Sequence, residues 1–405
     1  MSQTEQTVRQ RFQQYYLSPE AQPTLPPRMK EREYGFLLFK EKFMVRHRSF
    51  KSQEALLLAI RDLVPAHVYF STAYYLNPSA PMDEKGWQGA DLVFDVDADH
   101  LDTPCKPNHD SWKCKACKTT GTGSTPKVCP KCKNDRFEEQ TWLCEKCLQQ
   151  AKEETINFSE MFFRDFSPDR ADVQFYFSGH RGYHMHVHSD ELLALGEQER
   201  REIVDYFLGL DLDPEFHGLG EIPVGPRVKV TQGPLIGELG WRGRIVEGIY
   251  DILSREGETF GLSPSEVETV RKWDRDNLFT RPFWSSLKGI SVGTWKKIIS
   301  RAVQAKSAKI DTVVTTDVHR LIRLPGTLNG HTGLRVVDIP PEKLDAFDPF
   351  AESPVFQGQM KIRVGDAPEF RLGDKHFGPY HDEMVELPAA AAMLLLCKRR
   401  GELAA

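Results

Sequence analysis

The sequence has no long apolar run. Its longest, Pro388 to Cys397, is ten residues, about half of the ~20 that a bilayer-crossing helix needs, so no transmembrane helix is expected. The opening segment, MSQTEQTVRQ, lacks a basic stretch followed by an apolar core. No secretory signal is read there, and the cytoplasm is the expected location. An excess of basic charge is also missing. Fifty-three Lys and Arg against 58 Asp and Glu give a net charge of −5, which argues against a general basic coat for nucleic acid but permits a local basic groove. Cysteine is nearly absent outside one segment: seven of the eight lie between Cys105 and Cys147, and Cys397 stands apart. No internal repeat is visible. What is present is a chain of 405 residues with 40% hydrophobic, 27% charged and 10% aromatic side chains. That is a globular composition, long enough for two domains, and it excludes disorder and collagen as descriptions of the whole.

The cysteine cluster needs a local cause. Disulfide frames belong to short secreted domains, and this chain is long with no signal, so metal is the better reading. Cys114-x-x-Cys117, Cys129-x-x-Cys132 and Cys144-x-x-Cys147 share one form, and each can turn both thiolates toward one ion in a tight knuckle. Cys105-x-x-x-His109 is a fourth half-site. Eight soft ligands make two tetrahedral shells, and two zinc ions are expected. Gly121, Gly123 and Pro126 make the stretch between the inner pairs a turn-rich hairpin. This assigns Cys114, Cys117, Cys129 and Cys132 to one ion and leaves Cys105, His109, Cys144 and Cys147 to share the second. Swapped pairings remain compatible with the spacing. A closed four-ligand shell has no open position for substrate, so both sites read as structural. Cys397, beside Met393, Leu394, Leu395 and Leu396, reads as a helix-packing thiol.

Around the cluster, a Gln-rich helical start and the Pro23 to Pro27 tract lead into a body beginning near Arg32. β-prone runs at Phe36 to Phe39, Val68 to Ser71 and Leu92 to Val96 surround a helix candidate at Ser52 to Leu63, which places the chain in α/β or α+β territory. After the cysteines, Leu148 to Phe163 suits a helix. Val173 to Ser178 and His184 to His188 flank the turn Gly179 to Gly182 as a hairpin. Helical spacing then dominates at Gln198 to Leu208, Ser265 to Asn277 and Gly293 to Ala305, with sparse strand signals, before a β pattern returns between Ile310 and Asp338. The expected division is 1–195 as the first part of a mixed α/β core, with 105–147 as a metal-binding insertion. Residues 196–309 form a mainly helical subdomain, and 310–405 complete the core and carry a Pro-rich, acidic, then mixed tail.

Three constellations carry chemistry. In Asp91-Leu-Val-Phe-Asp95-Val-Asp97-Ala-Asp99, period two puts Asp95 and Asp97 on one face. Carboxylates that close repel unless a divalent cation neutralises them, and Mg²⁺ or Mn²⁺ with nucleotide phosphates is the usual partner. Ser178-Gly-His-Arg181-Gly182-Tyr-His184-Met-His186-Val-His188 sets two glycines beside an arginine, a pattern in which backbone amides and a bidentate cation can clamp a phosphate. Its histidines could equally form a polar strand face or a metal-binding row. The third runs from Asp311 through Asp317 and Arg320 to Arg323-Leu-Pro-Gly326-Thr-Leu-Asn329-Gly-His-Thr332-Gly333-Leu334, and alone it is an ordinary strand, turn and strand.

Together these segments resemble the small, catalytic subunit of archaeal and eukaryotic DNA primase, the archaeal form more closely. Asp-Val-Asp, Ser-Gly-x-Arg-Gly-x-His and Arg-Leu-Pro-Gly-Thr-Leu-x-Gly-x-Thr-Gly-Leu occur in the family's order, and Arg32 to Phe36 and Val45 to Phe50 are also similar. The resemblance implies a mixed α/β catalytic core with a zinc knob and a helical subdomain. It also implies template-directed primer synthesis on single-stranded DNA by two-metal nucleotidyl transfer. By it, Asp95, Asp97 and Asp311 would hold Mg²⁺ or Mn²⁺, with Asp311 preferred to Asp317, while Ser178, Arg181, His184 and Arg323 would contact the triphosphate of an NTP or dNTP. Many relatives have one Cys/His site; the outer quartet matches it and the inner ribbon is an addition. His180 stands where eukaryotic relatives often have a basic residue, and Asn329 replaces an expected His. The resemblance also implies a large-subunit partner carrying an iron–sulfur domain, and this chain has no spare four-cysteine set for one. Two rival readings have their own signatures. A metal-dependent phosphoesterase built on Asp95, Asp97 and the row His184, His186, His188 would hydrolyse without template. A zinc-ribbon nucleic-acid adaptor would bind without nucleotide chemistry.

Overall fold

The computed structural model describes residues 2–39, 44–254, 263–265, 268, 284 and 290–404. Two units divide the chain: Met1–Ser159 with Pro168–Arg201 and Ile310–Ala405, and Glu160–Ser167 with Glu202–Lys309.

In the first unit, β-branched and aromatic runs form two four-stranded sheets with antiparallel neighbours. One has the order Leu321–Arg323, His67–Ser71, Tyr34–Leu37, Met44–Arg48, and the other Val337–Ile339, Val173–Phe177, Gly182–Val187, Leu92–Asp97. Phe36, Val68, Phe70, Leu92, Phe94, Phe175 and Phe177 are all buried, each stabilising the fold by ~1.5–3 kcal/mol through removal from water. Both sheets are completed by strands from beyond residue 310, so the returning segment is integral to the core rather than appended to it. The helix Gln53–Leu63 begins where the Ser52 side chain accepts from Ala55 N and keeps Leu56 and Ile60 inside. The helix Gln3–Leu17 begins at a Ser2/Glu5 capping box, which satisfies two otherwise orphaned amides.

The cysteine-rich insertion folds as a three-stranded antiparallel sheet in the order Thr120–Thr122, Ser111–Cys114, Phe137–Gln140, and the helix Glu145–Phe166 follows it. The tail after Ile339, which the sequence suggests only as mixed, has definite structure. Gln359–Ala367 pairs with Tyr380–Pro388 and Gly401–Leu403, and against this sheet packs the helix Ala389–Cys397. That helix is apolar all round, with seven buried residues, as suits a helix enclosed on every side. It ends at Lys398, whose N–H bonds Leu394 O at 2.9 Å, and Arg399 then turns the chain through a left-handed φ of 56°.

In the second unit, the helices Gly240–Ser254 and Val292–Lys306 pack on each other around Trp241, Ile245, Ile249, Trp295 and Ile298. The second helix starts at Ser291, whose hydroxyl accepts from Thr294 N. A hairpin, Gly220–Gly225 with Val228–Gln232, sits where strand signals were sparse. It is mostly exposed and contains Pro223, so no apolar alternation advertises it. The helix expected at Ser265 to Asn277 lies outside the described residues.

Candidate functional site

The antiparallel register of Leu92–Asp97 and Gly182–Val187 sets Asp95 opposite His184 and Asp97 opposite Gly182. Only glycine fits there: a Cβ on Gly182 would lie 2.7 Å from Val96 O and 3.0 Å from Asp97 Cα. Asp311 joins the same strand through its backbone, its N–H bonding Asp95 O at 2.8 Å, while its side chain caps the short helix Thr312–Thr316. Asp95 Oδ1 is buried without a hydrogen-bond partner. Burial, and next the charge of Asp311, push the Asp95 carboxyl up to about 7. Burial and then Asp95 raise Asp97 in turn. Crowded hard oxygens lacking a counter-charge are the donor set a divalent cation fits. The ligand atoms that lie within 4.8 Å of one another here are those of Asp97, Asp99 and His180; the sequence alone nominates neither Asp99 nor His180 as a ligand.

His184 Nε2 lies 3.3 Å from Asp95 Oδ1. Burial, and next Arg323, pull this imidazole down to about 3, so a neutral ring faces the carboxylate at neutral pH. Ser178 has a local duty, its hydroxyl accepting from His180 N at 3.3 Å and Gly182 N at 3.2 Å across the turn. The turn is held from behind by Asn329, which donates to Ser178 O at 3.0 Å, and by Thr332, which donates to Gly179 O. Asn329 is fully buried. It serves the turn's backbone, a task an amide performs without charge.

Basic groups gather on this turn. Arg181 is fully buried; its Nη1 meets Asp110 Oδ2 at 2.9 Å and Asp99 Oδ1 at 3.1 Å, while Nε and Nη2 have no partner. Arg323, at the end of Leu321–Arg323, likewise leaves Nε buried and unpartnered, with its guanidinium 6.0 Å from the Tyr69 ring centroid. Lys398 Nζ lies 2.7 Å from His180 Nε2 and donates to Thr141 O at 3.1 Å. Burial, then Lys398 and Arg323, hold His180 far below the ordinary histidine range, so its ring accepts a hydrogen bond from the lysine. Lys398 itself is drawn down to about 8 by burial and next by Arg181.

The cysteines form two sets. Cys105, His109, Cys144 and Cys147 bring their ligand atoms within 4.8 Å of one another, and Cys114, Cys117, Cys129 and Cys132 do likewise. In the second set Lys118 N bonds Cys114 O and Lys133 N bonds Cys129 O, each at 3.0 Å, with Lys118 and Lys133 at positive φ. Both knuckles thus turn paired sulfurs to one side. Four soft donors converging without disulfides fit a tetrahedral metal. In the first set, His109 turns Nε2 toward Cys147 at 3.6 Å while Nδ1 pairs with Asp110 Oδ1 at 2.8 Å. A carboxylate behind the imidazole fixes its tautomer and orientation. That carboxylate is the one that also holds Arg181, so Asp110 ties the metal-ligand set to the basic turn. Nothing in the spacing of ligands points to Asp110, because its role depends on strands that meet only in the fold.

The histidine row divides. His186 is fully buried between Phe70 and Tyr176, with ring centroids at 6.0 and 4.6 Å. His188 Nδ1 lies 3.1 Å from Asp91 Oδ1, whose other oxygen receives Arg32 at 2.6 Å and whose carboxylate also takes the Tyr74 hydroxyl. His186, His188 and Asp91 bring ligand atoms together, but a buried guanidinium already supplies the positive charge there. The row therefore does not extend the acidic site around Asp95. Among the described residues, no helix is long and apolar enough to cross a membrane.

Comparison with known proteins gives the family of the chain. Residues 94–339 match the profile of a family described as DNA primase small subunit. The chain is 32% identical to the DNA primase small subunit PriS of Nitrosopumilus maritimus over 394 residues, covering 97% of each chain. It is 35% identical to that of Methanothrix thermoacetophila over 428 residues, covering 99% of each, and 32% identical to that of Archaeoglobus fulgidus, covering 96% of each. Asp95, Asp97, Asp311, the Ser178 to Gly182 turn and Arg323 lie within the residues matched by the profile and Lys398 lies beyond them, and the chain belongs to the DNA primase small subunit family.

Proposed function

We propose that this protein is the catalytic subunit of a DNA primase, making short primers on a single-stranded DNA template by nucleotidyl transfer, together with a large subunit that carries an iron–sulfur domain. The observation that carries the reading is the pairing of a buried acid without a hydrogen-bond partner and buried basic groups with unused donors: Asp95 Oδ1 on one side, Arg181 Nε and Nη2 from the same strand pair and Arg323 Nε from the neighbouring sheet on the other. A nucleoside triphosphate with divalent cations supplies what both sides lack.

Asp95, Asp97 and Asp311 would hold Mg²⁺ or Mn²⁺, which when bound favours ionisation of a primer 3′-hydroxyl and neutralises charge on the departing pyrophosphate. The chain's own residues orient and exclude. Arg181, already locked by Asp110 and Asp99, would present its two remaining donors to phosphate without reorganising. Arg323 would add charge from the neighbouring sheet. His184, being neutral, would donate a hydrogen bond rather than balance charge. Ser178 would hold the turn that carries Arg181. Zinc in the two cysteine sets would brace the insertion structurally, with Asp110 transmitting that order to Arg181.

The test supplies labelled nucleotides and Mg²⁺ or Mn²⁺ to the protein, alone and with a large subunit, with and without unprimed single-stranded DNA. Template-dependent oligomers support the proposal. Hydrolysis independent of template would favour the phosphoesterase reading, and binding of DNA with no nucleotide chemistry the adaptor reading.

A further inference from the structure

The C-terminal helix ends in a cation that reaches the Ser178 to Gly182 turn. Lys398 spends one donor on Thr141 O and one on His180 Nε2, and among the described residues no carboxylate pairs with it within 4.0 Å. Its surroundings make that arrangement costly. Arg181 and Arg323 act on the same turn, and the His331 and His180 rings stand 5.9 Å apart. Burial costs this ammonium hydration and Arg181 repels it, while Asp99, Asp110 and Asp97 attract it from beyond direct contact. Its position is nonetheless fixed, because it caps a helix whose seven buried residues anchor it to the sheet behind. A cation held in place beside Arg181, with one donor unspent and no carboxylate in contact, is positioned to receive an anion there. His180, which accepts from Lys398, also lies with Asp97 and Asp99 in one set of ligand atoms within 4.8 Å. The anion would therefore sit beside the acids that would take the divalent cation.

We infer that Lys398, carried in by the C-terminal helix, is a triphosphate-binding residue of the nucleotide site, an inference that rests on the function proposed above. Its third N–H would donate to a phosphate oxygen, with His180 relaying the contact from the Ser178 to Gly182 turn. This gives the segment after Ile339, beyond the residues matched by the family profile, a direct part in substrate binding. A triphosphate is preferred to a template phosphate because of the acids alongside: a single backbone phosphate carries one charge, too little to answer several basic groups at once.

The experiment measures equilibrium binding of ATP and of AMP, at fixed Mg²⁺, to the full-length wild type and to Lys398→Met, Lys398→Arg and Arg323→Ala. KM and kcat for primer synthesis are measured in parallel. Loss of one charge-assisted hydrogen bond weakens binding by about tenfold or more. Lys398→Met should therefore weaken ATP about tenfold, leave AMP within about twofold, raise KM in step with little change in kcat, and keep the wild-type melting temperature and metal content. Lys398→Arg should restore most of the ATP affinity. A lysine that merely props Thr141 and His180 would change ATP and AMP alike, or neither, and either result overturns the inference. So would weaker binding of a single-stranded oligonucleotide with unchanged ATP binding. Failure of the wild type to bind ATP, or indifference of ATP binding to Arg323→Ala, would instead overturn the proposed nucleotide site, and this inference with it.

Discussion

Asp95→Asn should make the protein more stable while removing its activity. Asp95 is only 17% exposed at its side chain, and one of its oxygens has no partner. Burial, and next Asp311, raise it to about 7, against ~3.9 for an unfolded chain. A carboxyl raised that far places a penalty of at most about 4 kcal/mol on the ionised folded state at pH 8. An asparagine amide in the same place has its own desolvation cost of ~1–3 kcal/mol, leaving a net gain of about 1–3 kcal/mol, or ~2–6 °C in Tm for a unit of this size. The sign with pH follows from the raised folded value. The penalty is absent below pH ~4, grows as pH rises from about 4 to 7, and is complete above 7. The advantage of the variant should therefore fall by about 2 kcal/mol at pH 5.5 relative to pH 8, bringing it close to zero. Added Mg²⁺ should narrow it at pH 8, since a cation that binds the folded wild type more tightly stabilises it selectively. Thermal melts of both proteins at the two pH values, with and without Mg²⁺ and with no chelator, test each step. A variant less stable than wild type at pH 8 without Mg²⁺ would refute the reasoning.

Three further outcomes are expected. Asp110→Ala should destabilise by ~1–3 kcal/mol, because it leaves Arg181 with Asp99 alone and removes the partner of His109; urea unfolding would check this, and a loss under ~0.5 kcal/mol would argue against Asp110 as the tie between the two sites. Cys129→Ala should release the metal of the inner quartet and spare that of the outer, read as one equivalent lost by elemental analysis, whereas loss of both would mean that the sites are not independent. Gly182→Ala should cost ~1–3 kcal/mol, since its new methyl must displace Val96 O or the strand that carries Asp97; a melting curve identical to wild type would show that the strand pair yields more easily than its geometry implies.

Local patterns expose much of this fold. Period two in Leu92–Asp97 marks a strand with its acids on one face, and the turn between Val173–Phe177 and Gly182–Val187 is announced by its glycines. The helices Gln53–Leu63 and Val292–Lys306 carry their own capping serines. The strands of the tail escape such a reading, although Gln359–Ala367 alternates exposed and buried residues over most of its length. The helix Ala389–Cys397 offers no amphipathic period to read, because it is enclosed on all sides. At the site, residue types and spacing suffice to nominate Asp95, Asp97, Arg181 and the cysteines. They do not reveal that Arg181 is buried against Asp110, that His184 is neutral, or that Lys398, over two hundred positions away, stands on His180. Those facts depend on which strands and helices come together, and on the loss of water that follows.

The central claim is nucleotide transfer directed by a template, and homopolymer templates test it most directly. With a large subunit and Mg²⁺ or Mn²⁺, wild type on unprimed poly(dT) should build oligomers from labelled adenine nucleotides and not from guanine nucleotides, with the preference reversed on poly(dC). Asp95→Asn/Asp97→Asn, folded and with its cysteine-bound metal intact, should build none. Products that ignore the template base, or that persist in the double variant, would contradict the assignment of chemistry to this site.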